Sequence, residues 1–336
     1  MKGKNNDERK GKKILQWIAV GVVVLFAFVK FWEYCEDYFH AEGVWDTFKI
    51  YEQGRLAVAD GRLYYCDLRR ENALCSYDLE TKEIRLIEEA EGVLKKTGTG
   101  VYYIAENVVY RIEKEALTAV YRIPAEKFTF IDCYQGTVYW IAREKRPEDK
   151  DWYRLAYLYA QTCFGESEPR LLFHKEEEDI NDAVIARDSL YLMTEEGIYC
   201  TEPGKDKWNK ISEENGSEFF GDATCVLLKA HPDETGEAFY EVTPEGQLER
   251  RTSDSGSTVA LHEGVLYYPH TNGLYQKSLG AEEAQEAFLT EVPEEVWYMM
   301  EAYEGGVFMR GYLSCDIWQY DAATGTISCV IKQRKE

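Results

Sequence analysis

Five histidines and nine cysteines are the residues of this chain best suited to hold a metal or attack a substrate. Their spacing argues against both. His40, His174, His231, His262 and His270 form no HExxH or other close ligand pair; His262 and His270 merely bracket one hairpin-like segment. The cysteines (Cys35, Cys66, Cys75, Cys133, Cys163, Cys200, Cys225, Cys315, Cys329) are odd in number, widely spaced and free of any CxxC. Most fall inside apolar runs, where a cysteine behaves as a small hydrophobe. Cys66 with Cys75, and Cys315 with Cys329, are expected on adjacent strands, so disulfides there depend on geometry. No G-x-S-x-G, P-loop or GxGxxG occurs. With 61 acids, accidental carboxylate pairs are inevitable, and the run Glu176–Asp179 lacks EF-hand spacing. No metal and no cofactor is expected.

One segment offers binding rather than catalysis. Ala142 to Arg154 reads AREKRPEDKDWYR and gathers positive charge on an otherwise acidic protein. Arg143, Lys145, Arg146, Trp152 and Tyr153 are the candidate ligand-binding residues, the aromatics supplying contact area.

These residues need a frame, and the sequence supplies one by repetition. An aliphatic residue followed by two large apolar ones recurs as Leu63-Tyr64-Tyr65, Val101-Tyr102-Tyr103, Val138-Tyr139-Trp140, Leu190-Tyr191-Leu192, Val226-Leu227-Leu228, Leu266-Tyr267-Tyr268 and Val307-Phe308-Met309. The intervals are 38, 37, 52, 36, 40 and 41 residues. Gly61, Gly100, Gly136, Gly264 and Gly306 lead into five copies, as tight hairpins require. A second apolar pair follows each first motif: Leu74-Cys75, Val109-Tyr110, Leu158-Tyr159, Ile198-Tyr199, Phe239-Tyr240, Leu274-Tyr275 and Ile317-Trp318. A short apolar run precedes each unit and a more polar strand closes it. Four strands in about 40 residues is the period of a propeller blade. The fold class is therefore all-β, a seven-bladed β-propeller of four-stranded blades over residues 50–331, with the copy at Val226 the weakest. The Tyr-Tyr pairs are expected between blades, because successive strand residues face opposite sides. The third unit is long: 20 residues separate its motifs, against 8–13 elsewhere. The excess is Ala142–Arg154, expected as a long B–C loop on the rim shared with the D–A connections.

The segments GRLYYCDLRRENALCSYDLETKEIRLI (61–87) and GVLYYPHTNGLYQKSLG (264–280) resemble bacterial propellers similar to the lipoprotein-receptor YWTD propeller. The nearest approach to the YWTD signature is Val138-Tyr139-Trp140-Ile141. Many such bacterial proteins are membrane-anchored; the resemblance implies the fold and a binding role, and it transfers no site residue.

Ahead of the repeats, Ile14–Val29 is apolar except for Gln16, and Lys30, Phe31 and Trp32 extend it to an interface. The expected organisation is a basic cytoplasmic tail (1–13), a transmembrane helix (14–32) contacting the lipid bilayer, a linker (33–49) and an extracytoplasmic propeller. Bulky residues after the apolar stretch argue for an uncleaved signal anchor. Basic residues upstream and Glu33, Glu36 and Asp37 downstream place the N-terminus in the cytoplasm. Of the net −22, residues 33–336 hold 32 basic and 59 acidic groups, a formal −27. Such a surface repels nucleic acid, so a protein, a peptide or a cell-envelope polymer is the expected partner. The leading expectation is a non-enzymatic binding module; the alternative is an envelope glycan hydrolase or lyase at the propeller axis, with Asp60, Asp132 and Asp222 ending inner strands.

Overall fold

The computed structural model describes residues 55–145, 153–163, 168–175, 179–214, 216–222, 224–230, 238–243, 246–252, 258–270, 273–279, 286–293, 297–311 and 314–333. The tail, the 14–32 anchor and the linker lie outside these. Among the described residues no helix is long and apolar enough to cross a membrane.

The described chain forms seven four-stranded antiparallel sheets, each paired in sequence order. The first blade is β1 (Leu56–Ala59), β2 (Arg62–Asp67), β3 (Ala73–Asp78) and β4 (Ile84–Glu88). The second is β5 (Val93–Thr97), β6 (Gly100–Ala105), β7 (Val108–Glu113) and β8 (Ala116–Arg122). The third is β9 (Phe128–Tyr134), β10 (Thr137–Lys145), β11 (Tyr153–Thr162) and β12 (Arg170–Phe173). The fourth comprises β13 (Ile180–Ala186), β14 (Ser189–Thr194), β15 (Gly197–Thr201) and β16 (Asn209–Ser212). The fifth, sixth and seventh are β17–β20 (Glu218–Gly221, Val226–Ala230, Ala238–Val242, Leu248–Arg250), β21–β24 (Ala260–His262, Val265–His270, Gly273–Ser278, Ala287–Glu291) and β25–β28 (Trp297–Tyr303, Gly306–Gly311, Ile317–Asp321, Thr326–Ile331). Every first motif lies on a second strand and every second motif on a third strand. The copy at Val226 builds a full blade.

Turn chemistry sets these hairpins. Asp60-Gly61, Gln135-Gly136 and Glu263-Gly264 each place two consecutive residues at positive φ. That is the turn whose twist matches right-handed strands. Arg187-Asp188 does the same without glycine (φ 49° and 54°), which is why the fourth unit has no glycine signal.

Seven apolar clusters fill the spaces between blades. Tyr64 packs toward the second blade with Leu94, Val101 and Tyr103. Its neighbour Tyr65 faces the other way, onto Phe308, Ile317 and Ile331 of the seventh blade. The pair thus serves two interfaces, as strand alternation requires. Alternation also settles the cysteines. Cys66 and Cys75 lie on opposite faces of the first blade, so they cannot bridge. Cys315 precedes β27, and Cys329 pairs across from Trp318. The eight cysteines from Cys66 onward are free thiols, and the closest approach is Cys133 Sγ to Cys163 Sγ at 3.0 Å.

First and seventh blades are each built from one continuous stretch, so among the described residues no strand is exchanged to lock the ring. Side chains make the joint instead. Arg310 is fully buried. Its Nη2 donates to Cys66 O (3.0 Å) and its Nε to Cys315 O (3.3 Å). Gln333 Oε1 accepts from Leu68 N at 2.8 Å, and Glu301 Oε1 from Val58 N at 3.2 Å.

Arg310→Met keeps the aliphatic stem but strands two carbonyls in the joint. It is expected to lower unfolding stability by about 2–4 kcal/mol in urea titration. Arg85→Met, which removes an exposed guanidinium, is expected to cost roughly 0–1 kcal/mol. Equal small losses would mean that the joint is held by packing alone.

Candidate functional site

The third blade departs from the other six in the length of its central hairpin. Much of the sequence excess is strand rather than loop. β10 runs nine residues to Lys145 and β11 resumes at Tyr153. Alternation puts Trp140 and Ala142 on one face, opposite Tyr159 and Tyr157 respectively. This face looks toward the second blade, whose strands β6 and β7 are only six residues long. The inner part is covered: Trp140 is buried among Tyr102, Val109 and Phe130.

A line of neighbouring rings, tilted at Tyr121 and stacked from Trp140 onward, runs along this face. Tyr121 lies 5.6 Å from Trp140, Trp140 5.7 Å from Tyr159, Tyr159 6.2 Å from Tyr157, and Tyr157 4.2 Å from His174. Offset stacking at such separations is attractive beyond the area buried. His174 Nδ1 is 3.2 Å from Ala156 O, which fixes the ring against the strand.

Where the longer hairpin outruns its neighbour, a cleft of about 830 Å³ opens. Trp140, Ala142 and Tyr159 line one side; Pro124, Ala125 and Glu126, from the connection into the third blade, line another, with Glu168 and Pro169 completing it. Glu126, Glu144 and Glu168 are exposed. Arg143 also lines the cleft, but its guanidinium is committed inside the protein. Nη1 pairs with Asp179 Oδ1 and Nη2 donates to Ile180 O, both at 2.7 Å, tying the third blade to the fourth. The described walls therefore offer aromatic surface and carboxylates, a combination suited to cations.

The other sequence candidates fall as follows. Lys145 and Tyr153 are a register pair closing the hairpin; Arg146 and Trp152 lie outside the described residues. Sequence reasoning missed Tyr157, Glu126, Glu144 and Glu168, and read Trp140 and Tyr159 only as packing. The available signal was the i, i+2 spacing of Tyr157 and Tyr159 on an extended strand.

Of the three inner-strand aspartates, Asp132 and Asp222 line the space enclosed by the inner strands and Asp60 does not. Asp60 sits in the first hairpin turn, where Oδ2 accepts from Lys114 N (3.2 Å). Asp222 closes a turn by accepting from Thr224 N and Cys225 N (2.7 and 2.9 Å). Asp132 lies within β9 rather than at its end. It is 1% exposed. Its Oδ1 accepts from Cys133 N (2.7 Å) and the hydroxyls of Thr97 (2.7 Å) and Thr99. Its Oδ2 has no partner among the described residues. Burial pushes its carboxyl above the usual range against the pull of these bonds. Among the described residues, no group of three or more His, Cys, Asp or Glu is placed to hold a metal.

No protein family matches the chain, and no curated protein matches it. Solved structures do. A puromycin-hydrolyzing peptidase from Mycobacterium tuberculosis matches at TM-score 0.57 and 12% identity, over 85% of this chain and 55% of that one. An uncharacterized protein from Listeria monocytogenes matches at TM-score 0.53 and 9% identity, over 84% and 91%. The β-propeller domain of Cps50 (Swd1) from Myceliophteria thermophila matches at 0.51 and 12%, over 82% and 96%. This chain thus spans just over half the length of the peptidase. At these identities the likeness is one of fold.

Asp132 makes stability depend on pH with a defined sign. A carboxyl raised in the folded state binds more protons there than when unfolded, so stability falls as pH rises through that window. Asp132→Asn keeps the Oδ1 acceptor and removes the titration. Its urea stability between pH 4 and 7 is expected to decline less with pH than that of the parent protein; a parallel decline would assign the dependence to other groups.

Proposed function

We propose that this propeller is a membrane-anchored, extracytoplasmic binding module that takes a cationic segment of a partner protein in the rim cleft of the third blade. The observation that carries the reading is the combination in one cleft of the Tyr159 ring, stacked on the buried Trp140, and three exposed carboxylates, Glu126, Glu144 and Glu168. A lysine or arginine entering there meets ring faces and carboxylates together, and both attract it. The formal −27 of residues 33–336 draws such a partner in at long range. The apolar run of residues 14–32, read as an anchor, supports the membrane-anchored, extracytoplasmic part of the reading. The axial glycan hydrolase or lyase reading has less behind it: Asp60 and Asp222 are held in turns, and although Asp132 and Asp222 both line the axial space, no substrate-sized cavity opens between them among the described residues. Peptidase chemistry is not carried over from the matched proteins, because a likeness at 12% identity bears on fold alone.

The test is equilibrium binding of the full-length protein to a lysine-rich peptide and to a glutamate-rich peptide of equal length. Only the basic one is expected to bind, more weakly as salt rises. Glu144→Gln combined with Glu168→Gln is expected to weaken it roughly 5–30-fold, at about 0.5–1 kcal/mol per exposed charge. Binding of both peptides alike, or an unchanged affinity in the double variant, would overturn the reading. Retention of an amine-bearing polysaccharide but not the peptide would shift it to an envelope polymer.

A further inference from the structure

The propeller axis holds a second constellation, independent of the rim cleft. The inner strands of all seven blades enclose a channel of about 210 Å³. That is below the ~300–1,000 Å³ of drug-sized sites, so its occupant is smaller. Register sorts five of its charged residues into levels; Lys96, Asp132 and Asp222 line it as well. Leu56, Leu94, Ala183, Phe219 and Met300 pair with the third residue of their blades' apolar motifs. One position earlier, toward the rim where the inner strands begin, stand Arg55, Asp182 and Glu218. One position later stand Lys95 and Glu301.

Each of these groups has a definite state. Asp182 is satisfied by backbone, accepting from Ala183 N and Phe219 N at 2.8 Å each. Glu301 accepts from Val58 N and pairs with Lys96. Arg55 Nη2 lies 3.5 Å from Glu218 Oε1. These two come from the first and fifth blades, which are not neighbours, so their ion pair crosses the axis like a bar over the channel. Lys95 Nζ donates to Phe130 O (2.6 Å); its other two N–H groups have no protein acceptor among the described residues. Enclosure first, and the Arg55 guanidinium second, bring the Lys95 ammonium down to about 8, against the pull of Asp182, Asp132 and Glu218. Burial pushes the carboxyls of Glu218 and Glu301 upward. Phe220, Val184, Leu261 and Met299 add apolar wall.

A ligand entering this channel from the rim where the inner strands begin parts Arg55 from Glu218. A ligand of one sign satisfies one partner and leaves the other without its ion pair, a cost that the partial exposure of both side chains (37% and 25%) reduces but does not remove. A ligand of both signs replaces the bond each partner loses. The geometry points to a binding site for a small zwitterion of the α-amino-acid class, its carboxylate on Arg55 and Lys95 and its ammonium on Glu218. Its side chain rests on the apolar wall. The pairing is loose enough to open, since 3.5 Å is a long contact for a guanidinium and a carboxylate.

Trace acetylation of the full-length protein with acetic anhydride, read by peptide mass spectrometry, tests this directly. Half-maximal labelling of Lys95 is expected near pH 8, with exposed lysines above about 10. An equimolar mixture of the twenty common amino acids is expected to lower Lys95 labelling at least about tenfold relative to exposed lysines of the same sample, which corrects for reagent consumed by the free amines, by occupying the charges it would otherwise leave unpaired. Lactate alone and ethylamine alone are expected not to. Glu218→Gln and Arg55→Gln should each abolish protection, whereas Arg55→Lys should keep part of it. Unprotected Lys95 in the amino-acid mixture, or equal protection by either single-charge compound, would overturn the proposal; this comparison needs no variant. Substitutions of Glu144 and Glu168 in the rim cleft should leave Lys95 protection unchanged.

Discussion

Everything in this molecule depends on one constraint: a small β-sheet with two apolar faces has to cover both. A blade of four short strands cannot do so alone. Tyr64 and Tyr65 show the consequence at the smallest scale, one ring committed to each neighbouring blade. The same demand repeated at each interface produces a closed ring, because an open stack would leave the outer faces of the first and last blades in water.

Closure is where that constraint is met with most difficulty. With no strand shared between the first and seventh blades, packing of Phe308, Ile317 and Ile331 against Leu63 and Tyr65 is supplemented by polar ties. Arg310 is the clearest of these. A guanidinium taken wholly out of water is costly unless its donors find acceptors, and here it finds carbonyls on both sides of the joint. The joint is therefore specific as well as adhesive: it accepts the first blade in one register.

The same geometry that fills the interfaces leaves two places unfilled. On the rim, the third blade outgrows its neighbour, and aromatic residues that would otherwise be packing become the wall of a cleft. At the axis, seven inner strands approach but cannot meet, and the residues there are charged. Both features arise from mismatch between repeats, in length at the rim and in side-chain type at the axis. Departures from a repeat are where a repeat protein acquires individuality, since the identical parts are already used in holding the ring together.

The blade count, the strand order within each blade and the division of apolar pairs between faces were legible in the sequence, because they rest on two local periods: alternation along a strand and recurrence near 40 residues. Even the long third unit was visible by counting. Its character was not: Arg143 read as a ligand contact, but the fold sets Asp179 and Ile180 O beside it. The aspartates grouped as inner-strand ends proved to be a turn residue, a buried acceptor and a second turn residue. Only the tertiary structure brought Arg55 to Glu218 and set Lys95 among acids from three other blades. The physical reason is that periodicity specifies each sheet locally. Which side chains share the axis is decided by closing the ring, and no spacing along the chain encodes a distance across it.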